Sequence, residues 1–160
     1  MSKKAFTLIE LLIVIVLLGV LAALISGNFI TSLKKGRDAK RKGDLEQITR
    51  ALEMYYEDKK SYPLTAGLTF GEKFCENNPC GATSDKVYMQ KVPNDPISGK
   101  SYEYLSADGT NYKIFSCLEN NQQVLPYEST GYSLTCGNCK NQAGADVSCI
   151  WGVSSTNISP

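Results

Sequence analysis

Glu10 is the side chain whose chemistry most needs an explanation, because it lies a few residues into an apolar run from Phe6 to Ile25. A run of about 20 apolar residues is long enough to cross a bilayer as a helix. A carboxylate near the start of such a helix is costly unless it finds a partner. Glu10 is therefore expected to pair with a cation. The alternative is an incidental polar residue in an anchor or a signal peptide.

Six cysteines are the second chemical feature, and all of them follow the apolar run. An even number of cysteines behind a membrane segment predicts disulfides in an oxidising, extracytoplasmic compartment. The Cys136-Gly-Asn-Cys139 spacing also occurs in zinc and thiol-exchange sites, but zinc would need a second cysteine pair and exchange would need a thioredoxin-like fold. Structural disulfides are therefore preferred for Cys75, Cys80, Cys117, Cys136, Cys139 and Cys149.

The cysteine connectivity stays open at this level, because six cysteines can pair in many ways and sequence does not choose among them. Our working assignment joins Cys75 to Cys80, Cys117 to Cys136 across neighbouring strands, and Cys139 to Cys149. Such bridges would pin a cysteine-rich tail to the rest of the domain. Each is expected to stabilise the fold by roughly 2 to 5 kcal/mol.

Composition excludes several classes of function. The chain has 160 residues, a net charge of +1 and no histidine. The length accommodates the apolar helix and one further domain. A charge near zero gives no overall attraction for nucleic acid, and the lack of histidine weakens the case for hydrolytic triads and mixed histidine metal sites. No group of residues indicates catalysis, so the sequence predicts a protein that is not an enzyme.

The residues around the start of the apolar run form a signal. Lys3 and Lys4, the small Ala5 and the segment Phe6–Glu10 (FTLIE) resemble the class III signal of type IV pilins and type II secretion pseudopilins. The resemblance implies that a prepilin peptidase cuts between Ala5 and Phe6 and methylates the new amine. Ala5 stands in place of the usual glycine. The apolar run would then be retained, unlike that of an ordinary secretory signal.

The same resemblance assigns assembly roles within the apolar run. It implies that Glu10 meets the Phe6 amine of a neighbouring subunit and that Thr7 is the second residue of the mature chain. Cleavage creates the cation, so the ion pair would form only on assembly. Small residues that recur every four positions would let helices approach closely, or are merely tolerated in a membrane helix: Gly19, Ala23 and Gly27.

The family resemblance implies a structural subunit of a type IV pilus or of a type II secretion pseudopilus-like filament. Its partners would be further copies in a helical filament, the prepilin peptidase, an assembly ATPase, a platform membrane protein and, where present, an outer-membrane pore. The chain would span the bacterial cytoplasmic membrane once, with its head outside the cytoplasm, and then enter a periplasmic or cell-surface filament. The alternatives are a minor pilin, adhesin or DNA-uptake pilin that binds through its tail, around Tyr127–Trp151, and a singly anchored domain.

No cofactor or metal is expected. Similar pseudopilins often hold calcium in an acidic loop after the second strand, whereas Leu118–Gln123 has one carboxylate among amides. Calcium prefers several charged oxygen ligands. A calcium ion here is therefore the less favoured alternative to a solvated loop.

A basic cluster follows the anchor and is interrupted by Asp38: Lys34, Lys35, Arg37, Lys40, Arg41 and Lys42. Counting positive charges would place this cluster in the cytoplasm, but the cysteines and the pilin-like signal place it outside. We expect a solvated or inter-subunit charged face, opposite acids such as Asp44 and Glu46 of neighbouring copies. Contacts with nucleic-acid phosphates are the alternative.

The elements that must position these groups are one long helix and a small sheet. Apolar residues at helical spacing extend the helix to about Asp58, and Pro63 prevents its continuation. The segment Leu64–Ser84 is predicted to be a loop because it is rich in glycine, asparagine, threonine and proline. Residues 87–92 are predicted to form a short buried helix or turn.

An antiparallel hairpin is predicted from Ser101–Leu105 and Tyr112–Leu118, with a turn at Asp108–Gly109. Tyr132–Cys136 is predicted to be a third strand. The resulting fold is α+β and pilin-like, with a small sheet on the outer half of the helix and a disulfide-tied C-terminal region. The predicted division is a leader (1–5), a membrane and assembly half of the helix (6–27), an amphipathic half (28–58) and a head (59–160).

Overall fold

A single helix, α1, runs without a break from Leu8 to Lys59 and organises the molecule. The structure is a computed structural model that describes residues 6–77, 80–81, 85–126 and 129–155, without the side chains of 26–28. At 1.5 Å per residue, α1 is about 78 Å long. Its bounds agree with the predicted helix to within two residues.

The end of α1 is set by the backbone of Lys60. This residue adopts a left-handed conformation with φ 55°, and its N–H donates to the carbonyl oxygen of Tyr56 at 2.8 Å. Such a cap satisfies one of the carbonyl groups left open at a helix end. Pro63 follows shortly afterwards and cannot rejoin the helix.

The two halves of α1 have different surroundings. None of the residues Leu8–Ile25 is buried, and this stretch is long and apolar enough to cross a membrane. From Asp38 onwards one face of the helix is covered by the head. The first half is therefore a naked apolar rod, and the second half is the spine of the domain.

The main core lies between the outer half of α1 and the head. Leu45, Ile48 and Leu52 are at most 1% exposed. They belong to a cluster that is rich in tyrosine: Tyr62, Tyr88, Tyr102, Tyr104 and Tyr112, with Ile114, Phe74 and Val92. Because a buried hydroxyl needs a hydrogen-bond partner, a core of this composition also dictates which polar groups α1 must supply.

Three carboxylates of α1 accept hydrogen bonds from tyrosine hydroxyls of the head: Asp44 from Tyr102 at 2.8 Å, Glu53 from Tyr62 at 3.0 Å and Asp58 from Tyr88 at 2.8 Å. Burial, together with the bond to Glu53, raises the pKa of Tyr62 to about 12. The expectation that Asp44 faces a neighbouring copy is wrong. Asp44 is 6% exposed and accepts the hydroxyl of Tyr102, the residue just before β3 of its own head.

The head contains a three-stranded antiparallel sheet with the order β3-β4-β8 and two smaller ladders, β1-β2 and β5-β6-β7. Their bounds are β1 Phe74–Cys75, β2 Val87–Met89, β3 Glu103–Leu105, β4 Lys113–Cys117, β5 Val124–Leu125, β6 Asn138–Asn141, β7 Asp146–Ser148 and β8 Ile150–Ser154. β5 and β6 pair in parallel, and the other pairs are antiparallel. A short 3₁₀ helix spans Thr65–Gly67. The α+β, pilin-like fold class is confirmed.

The predicted hairpin is present as β3 and β4, with Tyr104 opposite Ile114. Its turn contains Gly109, whose φ of 75° suits glycine. A Cβ there would stand 2.9 Å from the carbonyl oxygen of Tyr62. The turn therefore docks on the chain just after α1, where the Tyr62 N–H donates to the Gly109 carbonyl at 2.7 Å.

Two predicted elements are wrong. Tyr132–Cys136 is not a strand, because side chains hold this segment: Cys136 is bonded to Cys117, and the Ser133 N–H donates to Glu103 Oε2 at 2.8 Å. The third strand is instead β8, which pairs along the whole of β4. Val87–Met89 forms β2 rather than a helix or turn, because it pairs with β1, a strand inside the predicted loop.

Disulfides join Cys75 to Cys80, Cys117 to Cys136 and Cys139 to Cys149, the pairs of the working assignment. The last of these bridges lies in a second small core with Leu118 and Leu125, against which Val147 and Trp151 pack. The tail therefore packs around a small core of its own and is attached to the main sheet through β8.

Candidate functional site

The N-terminal end of α1 is built around Thr7 and Glu10. The Thr7 N–H and hydroxyl both donate to Glu10 Oε2, at 2.9 and 2.7 Å, and the Glu10 N–H donates to the Thr7 hydroxyl at 3.4 Å. This reciprocal arrangement is a capping box, which satisfies open N–H groups at the start of a helix. Among the residues that the structure describes, the Glu10 carboxylate therefore has neutral donors and no cationic partner.

The sequence carried a signal for this cap that our predictions did not use. Thr7 and Glu10 have the T-x-x-E spacing of a capping box directly before an apolar run. Phe6, the residue of the predicted mature N-terminus, is 80% exposed. Ala5, the other side of the predicted cleavage site, and the leader 1–5 lie outside the described residues.

The predicted small-residue face has open space around Gly19. Within the described residues, no heavy atom outside its local helix backbone lies within 4 Å of the position that a Gly19 Cβ would take. Ala23 is exposed, and Gly27 lies inside α1 among the residues without described side chains. The fold of one chain thus makes no use of the space beside Gly19.

Arg41 occupies the centre of an ion-pair cluster that ties two loops to α1. Its side chain is 1% exposed. Nε and Nη2 donate to the two carboxylate oxygens of Asp95 at 2.6 and 2.9 Å, and Nη1 lies 2.8 Å from Asp38 Oδ1 and 2.6 Å from Glu119 Oε1. Burial opposes the charge, but Asp95 and Glu119 hold the pKa of Arg41 above its ordinary value.

Glu119 is shared between two arginines. Arg37 Nε and Nη2 donate to its two oxygens at 2.9 and 2.5 Å, and Arg41 approaches from the other side. The hydrogen bond from Arg37, followed by that from Arg41, lowers the pKa of Glu119 to about 2. Asp38 completes the attachment, because it accepts the backbone N–H groups of Glu119 and Asn120 at 2.9 and 2.8 Å.

The prediction of a solvated or inter-subunit charged face at residues 34–42 is therefore only partly correct. Arg37 and Arg41 turn into the head and meet carboxylates of the same chain, and Lys42 Nζ lies 4.3 Å from the Trp151 ring centre. The reason is helical spacing: Asp38 and Arg41 lie on the stripe that continues into Leu45 and Ile48. Lys34, Lys35 and Lys40 remain outside this network.

The loop Leu118–Gln123, considered above for calcium, is held through Glu119 by guanidinium groups. In the part of the chain that the structure describes, no group of three or more acidic or cysteine side chains is arranged to hold a metal ion. The tail proposed as a ligand-binding region begins at Tyr127, which lies outside the described residues. Its described part carries the β6–β7 hairpin, whose tip at residues 142–145 is exposed.

Two known sequence families match this chain. Residues 28–125 match the family described as type II secretion system (T2SS), protein G, and residues 1–26 match the prokaryotic N-terminal methylation motif. The first match covers more than half of the chain, from the outer half of α1 to β5. The tail from residue 126, with β6, β7 and β8, lies beyond both matches.

Several bacterial proteins are similar to this chain over most of their own length. The type II secretion system core protein G of Pseudomonas aeruginosa is 39% identical over 111 residues, 68% of this chain and 77% of the relative. The protein of the same name from Vibrio cholerae is 33% identical over 124 residues, 76% of this chain and 84% of the relative. No solved structure gives a significant match.

Proposed function

This chain belongs to the family of type II secretion system protein G, and from that premise we propose that it is the structural subunit of a pseudopilus-like filament. The observation that carries the proposal is the division of α1 into a bare apolar half and a half covered by the head. A rod of exposed leucine, isoleucine and valine cannot remain in water. It must be covered first by lipid and then by the corresponding rods of other copies.

The proposed pathway begins in the cytoplasmic membrane, with the head outside the cytoplasm. A prepilin peptidase would cut between Ala5 and Phe6 and methylate the new amine, and the match to the N-terminal methylation motif supports this step. An assembly ATPase and a platform membrane protein would then move the subunit into the filament. These partners follow from the family and not from any contact in the single chain.

Glu10 would exchange one set of partners for another during this pathway. While the subunit is alone, the Thr7 N–H and hydroxyl satisfy its carboxylate. After cleavage, the Phe6 amine of a neighbouring copy offers a full positive charge. Thr7 offers only neutral donors, whereas the ammonium adds a Coulombic attraction that is strong in a medium of low dielectric constant, so the exchange favours assembly. Thr7 would thus keep Glu10 tolerable in the membrane before its cation arrives.

Replacing Glu10 distinguishes its proposed role in an ion pair with the Phe6 amine from its role in capping α1. Glu10→Gln keeps an oxygen that can accept from Thr7 but removes the charge, whereas Glu10→Ala removes both. We expect both variants to be cleaved and inserted normally and to appear in sheared filaments at least about tenfold less, the effect of roughly 1.4 kcal/mol per added subunit. Carbonate extraction measures insertion, mass spectrometry measures cleavage, and quantitative immunoblotting measures filament content.

The glutamine variant decides between the two roles of Glu10. If it assembles as well as the unmodified chain while the alanine variant does not, Glu10 acts only as a helix cap. If both assemble normally, the proposed pair with the Phe6 amine is excluded.

A further inference from the structure

Apolar side chains are exposed on α1 again beyond Ile25, where the stretch that could cross a membrane ends. Phe29, Ile30 and Leu33 are 57%, 58% and 43% exposed. All three lie before Arg37, the first helix residue that contacts the head through an ion pair. They form a short collar of exposed apolar side chains between the membrane-length segment and the base of the head.

Two lysines follow this collar directly. Lys34 is half-buried and Lys35 is exposed. Among the described residues neither forms an ion pair with a carboxylate, in contrast to Arg37 and Arg41, which use Glu119, Asp38 and Asp95. The acids near the base of the head are therefore already engaged by arginine, and the two lysine charges are available to a partner outside the chain.

The heights of these residues above a bilayer follow from helix geometry. If the segment up to Ile25 fills the hydrocarbon layer, Phe29 and Ile30 lie about 6 to 8 Å above it. The headgroup layer on each side is about 5 to 8 Å thick. Lys34 and Lys35 start about 13 to 15 Å above the hydrocarbon, but helical side chains tilt toward the N-terminus. In the proposed orientation the N-terminus points into the membrane, so side chains of this length can extend toward the phosphates.

We propose that this membrane-proximal belt (Phe29, Ile30, Leu33, Lys34 and Lys35) binds the headgroups of anionic phospholipids in the outer leaflet of the cytoplasmic membrane while the subunit awaits assembly. The apolar and aromatic members occupy the interface, as such side chains do at membrane surfaces. The lysines bind lipid phosphates through their ammonium groups. The inference rests on the proposed function, in which the subunit is anchored in the membrane before assembly. It adds which lipids the anchored subunit binds.

The chain supplies its own matched control in Lys40. It is an exposed lysine of the same helix, and it too lacks an ion-pair partner among the described residues. It stands about 22 Å above the end of the apolar stretch, too far for its side chain to reach the phosphates. Lys34 and Lys35 should therefore respond to lipid charge, and Lys40 should not.

The test uses the full chain reconstituted in nanodiscs of phosphatidylcholine, with or without phosphatidylglycerol. A water-soluble acylating reagent modifies the lysines, and mass spectrometry follows the rate at each residue. We expect Lys34 and Lys35 to react at least about threefold more slowly with phosphatidylglycerol present. High salt should abolish the difference, because the screening length falls to about 3 Å at 1 M. Lys40 should react equally in both bilayers.

A second comparison uses Lys34→Gln/Lys35→Gln and Lys40→Gln. With phosphatidylglycerol present, the double variant should lose its contacts with the lipid headgroups, which is measured as a loss of crosslinks between lipid phosphates and the chain near Phe29. Lys40→Gln should keep these crosslinks. Equal lysine reactivity in both bilayers, in a chain that is inserted, overturns the lipid inference but leaves the filament function intact. If Lys34 and Lys35 are protected in neutral bilayers, and more so as the number of chains per nanodisc rises, the belt contacts a second copy. That result also overturns the lipid inference. A chain that does not insert at all contradicts both.

Discussion

Arg41 shows how one residue can decide the attachment of two loops. Its guanidinium lies between Asp38 of α1, Asp95 of the loop before β3 and Glu119 of the loop after β4. Burying a charge is costly, and a buried ion pair need not add stability over an apolar contact of the same shape. Its geometry is nevertheless specific, because the planar fork meets the carboxylate of Asp95 at two atoms. The cluster therefore fixes where both loops sit on the helix.

Acid should weaken this cluster through Glu119. Its pKa in the folded chain is lowered from the ordinary 4.5 to about 2. Its contribution to stability is then fully present above the unfolded-state pKa and is lost as the pH falls through the folded-state value. We expect protonation of Glu119 to lower the free energy of unfolding by at most roughly 3 kcal/mol between pH 4.5 and 2. Denaturant unfolding of the full chain in detergent at several pH values measures this slope.

Glu119→Gln should lower stability at neutral pH and remove the part of the acid dependence that comes from Glu119. Glu46→Gln is the matched control, because the Glu46 side chain is 66% exposed and lies 3.8 Å from Arg50. It should change stability by less than about 0.5 kcal/mol. An unchanged acid slope in the Glu119 variant would mean that other carboxylates carry the dependence.

At the scale of elements, the parts predicted correctly are those specified by local sequence. The α1 helix follows from apolar spacing, and the β3–β4 hairpin follows from two alternating runs and the Asp108–Gly109 turn. The pairing of β8 could not be predicted in the same way, because the residues that pair lie far apart in the chain. Gly152 of β8, for example, pairs with Phe115 of β4. The Arg41 cluster escaped prediction for the same reason: Asp95 and Glu119 join it only after folding.

The candidate site divides along the same line. Glu10 and Thr7 were identified because their whole context is contiguous, and the cap between them needs only three residues of separation. The fate of the basic residues was not predictable from their charge alone. Arg37 and Arg41 meet carboxylates of the head while Lys35 and Lys40 stay exposed, and this depends on which helix face the distant loops cover.

The tail should depend on its disulfides more than the main sheet does. We expect the double variant Cys117→Ser/Cys136→Ser to be destabilised by about 2 to 5 kcal/mol. The loss should be concentrated in the tail, because β4 keeps its pairing with β3 and β8. Hydrogen exchange by mass spectrometry should show faster exchange in β6 and β7, with β3 and β4 still protected.

Cys75→Ser/Cys80→Ser is the control for that experiment. This bridge closes the loop beside β1 and β2, away from the tail. It should therefore speed exchange at Phe74–Cys75 and leave β6 and β7 unchanged. Equal loss of protection throughout the head in both variants would mean that the tail and the main sheet unfold as one unit.

At the scale of the whole molecule, a single chain buries the apolar core of its head but leaves the apolar side chains of the first half of α1 exposed. Residues Leu8–Ile25 bury nothing within the chain. Substitutions in this half can therefore leave the fold of the subunit unaffected and still alter the filament. The head behaves in the opposite way, since its buried tyrosines and ion pairs are satisfied without a second copy.

Gly19→Leu separates these two levels. No atom outside the local helix backbone lies near the position of its Cβ, so the single chain should tolerate the larger side chain. The exchange also removes a glycine that weakens a helix by about 1 kcal/mol. We expect unchanged insertion and head stability, but at least about tenfold fewer sheared filaments, because helices could no longer approach closely there. Val20→Leu, a smaller change at an adjacent position, should assemble normally.

Normal assembly of Gly19→Leu would show that this face is not packed against another helix. Loss of insertion would instead point to a defect in the membrane and not in the filament.

The guanidinium that holds the loop after β4 is attached to the chain by covalent bonds. A cation taken from the surroundings is present only at the concentration that the surroundings provide, and a chelator or dilution removes it. The Arg41 guanidinium, in contrast, is always present beside this loop, because it belongs to the same chain. The attachment of this loop to α1 therefore needs no cation from outside the chain, and a subunit that leaves the membrane keeps it wherever the pH leaves Glu119 ionised.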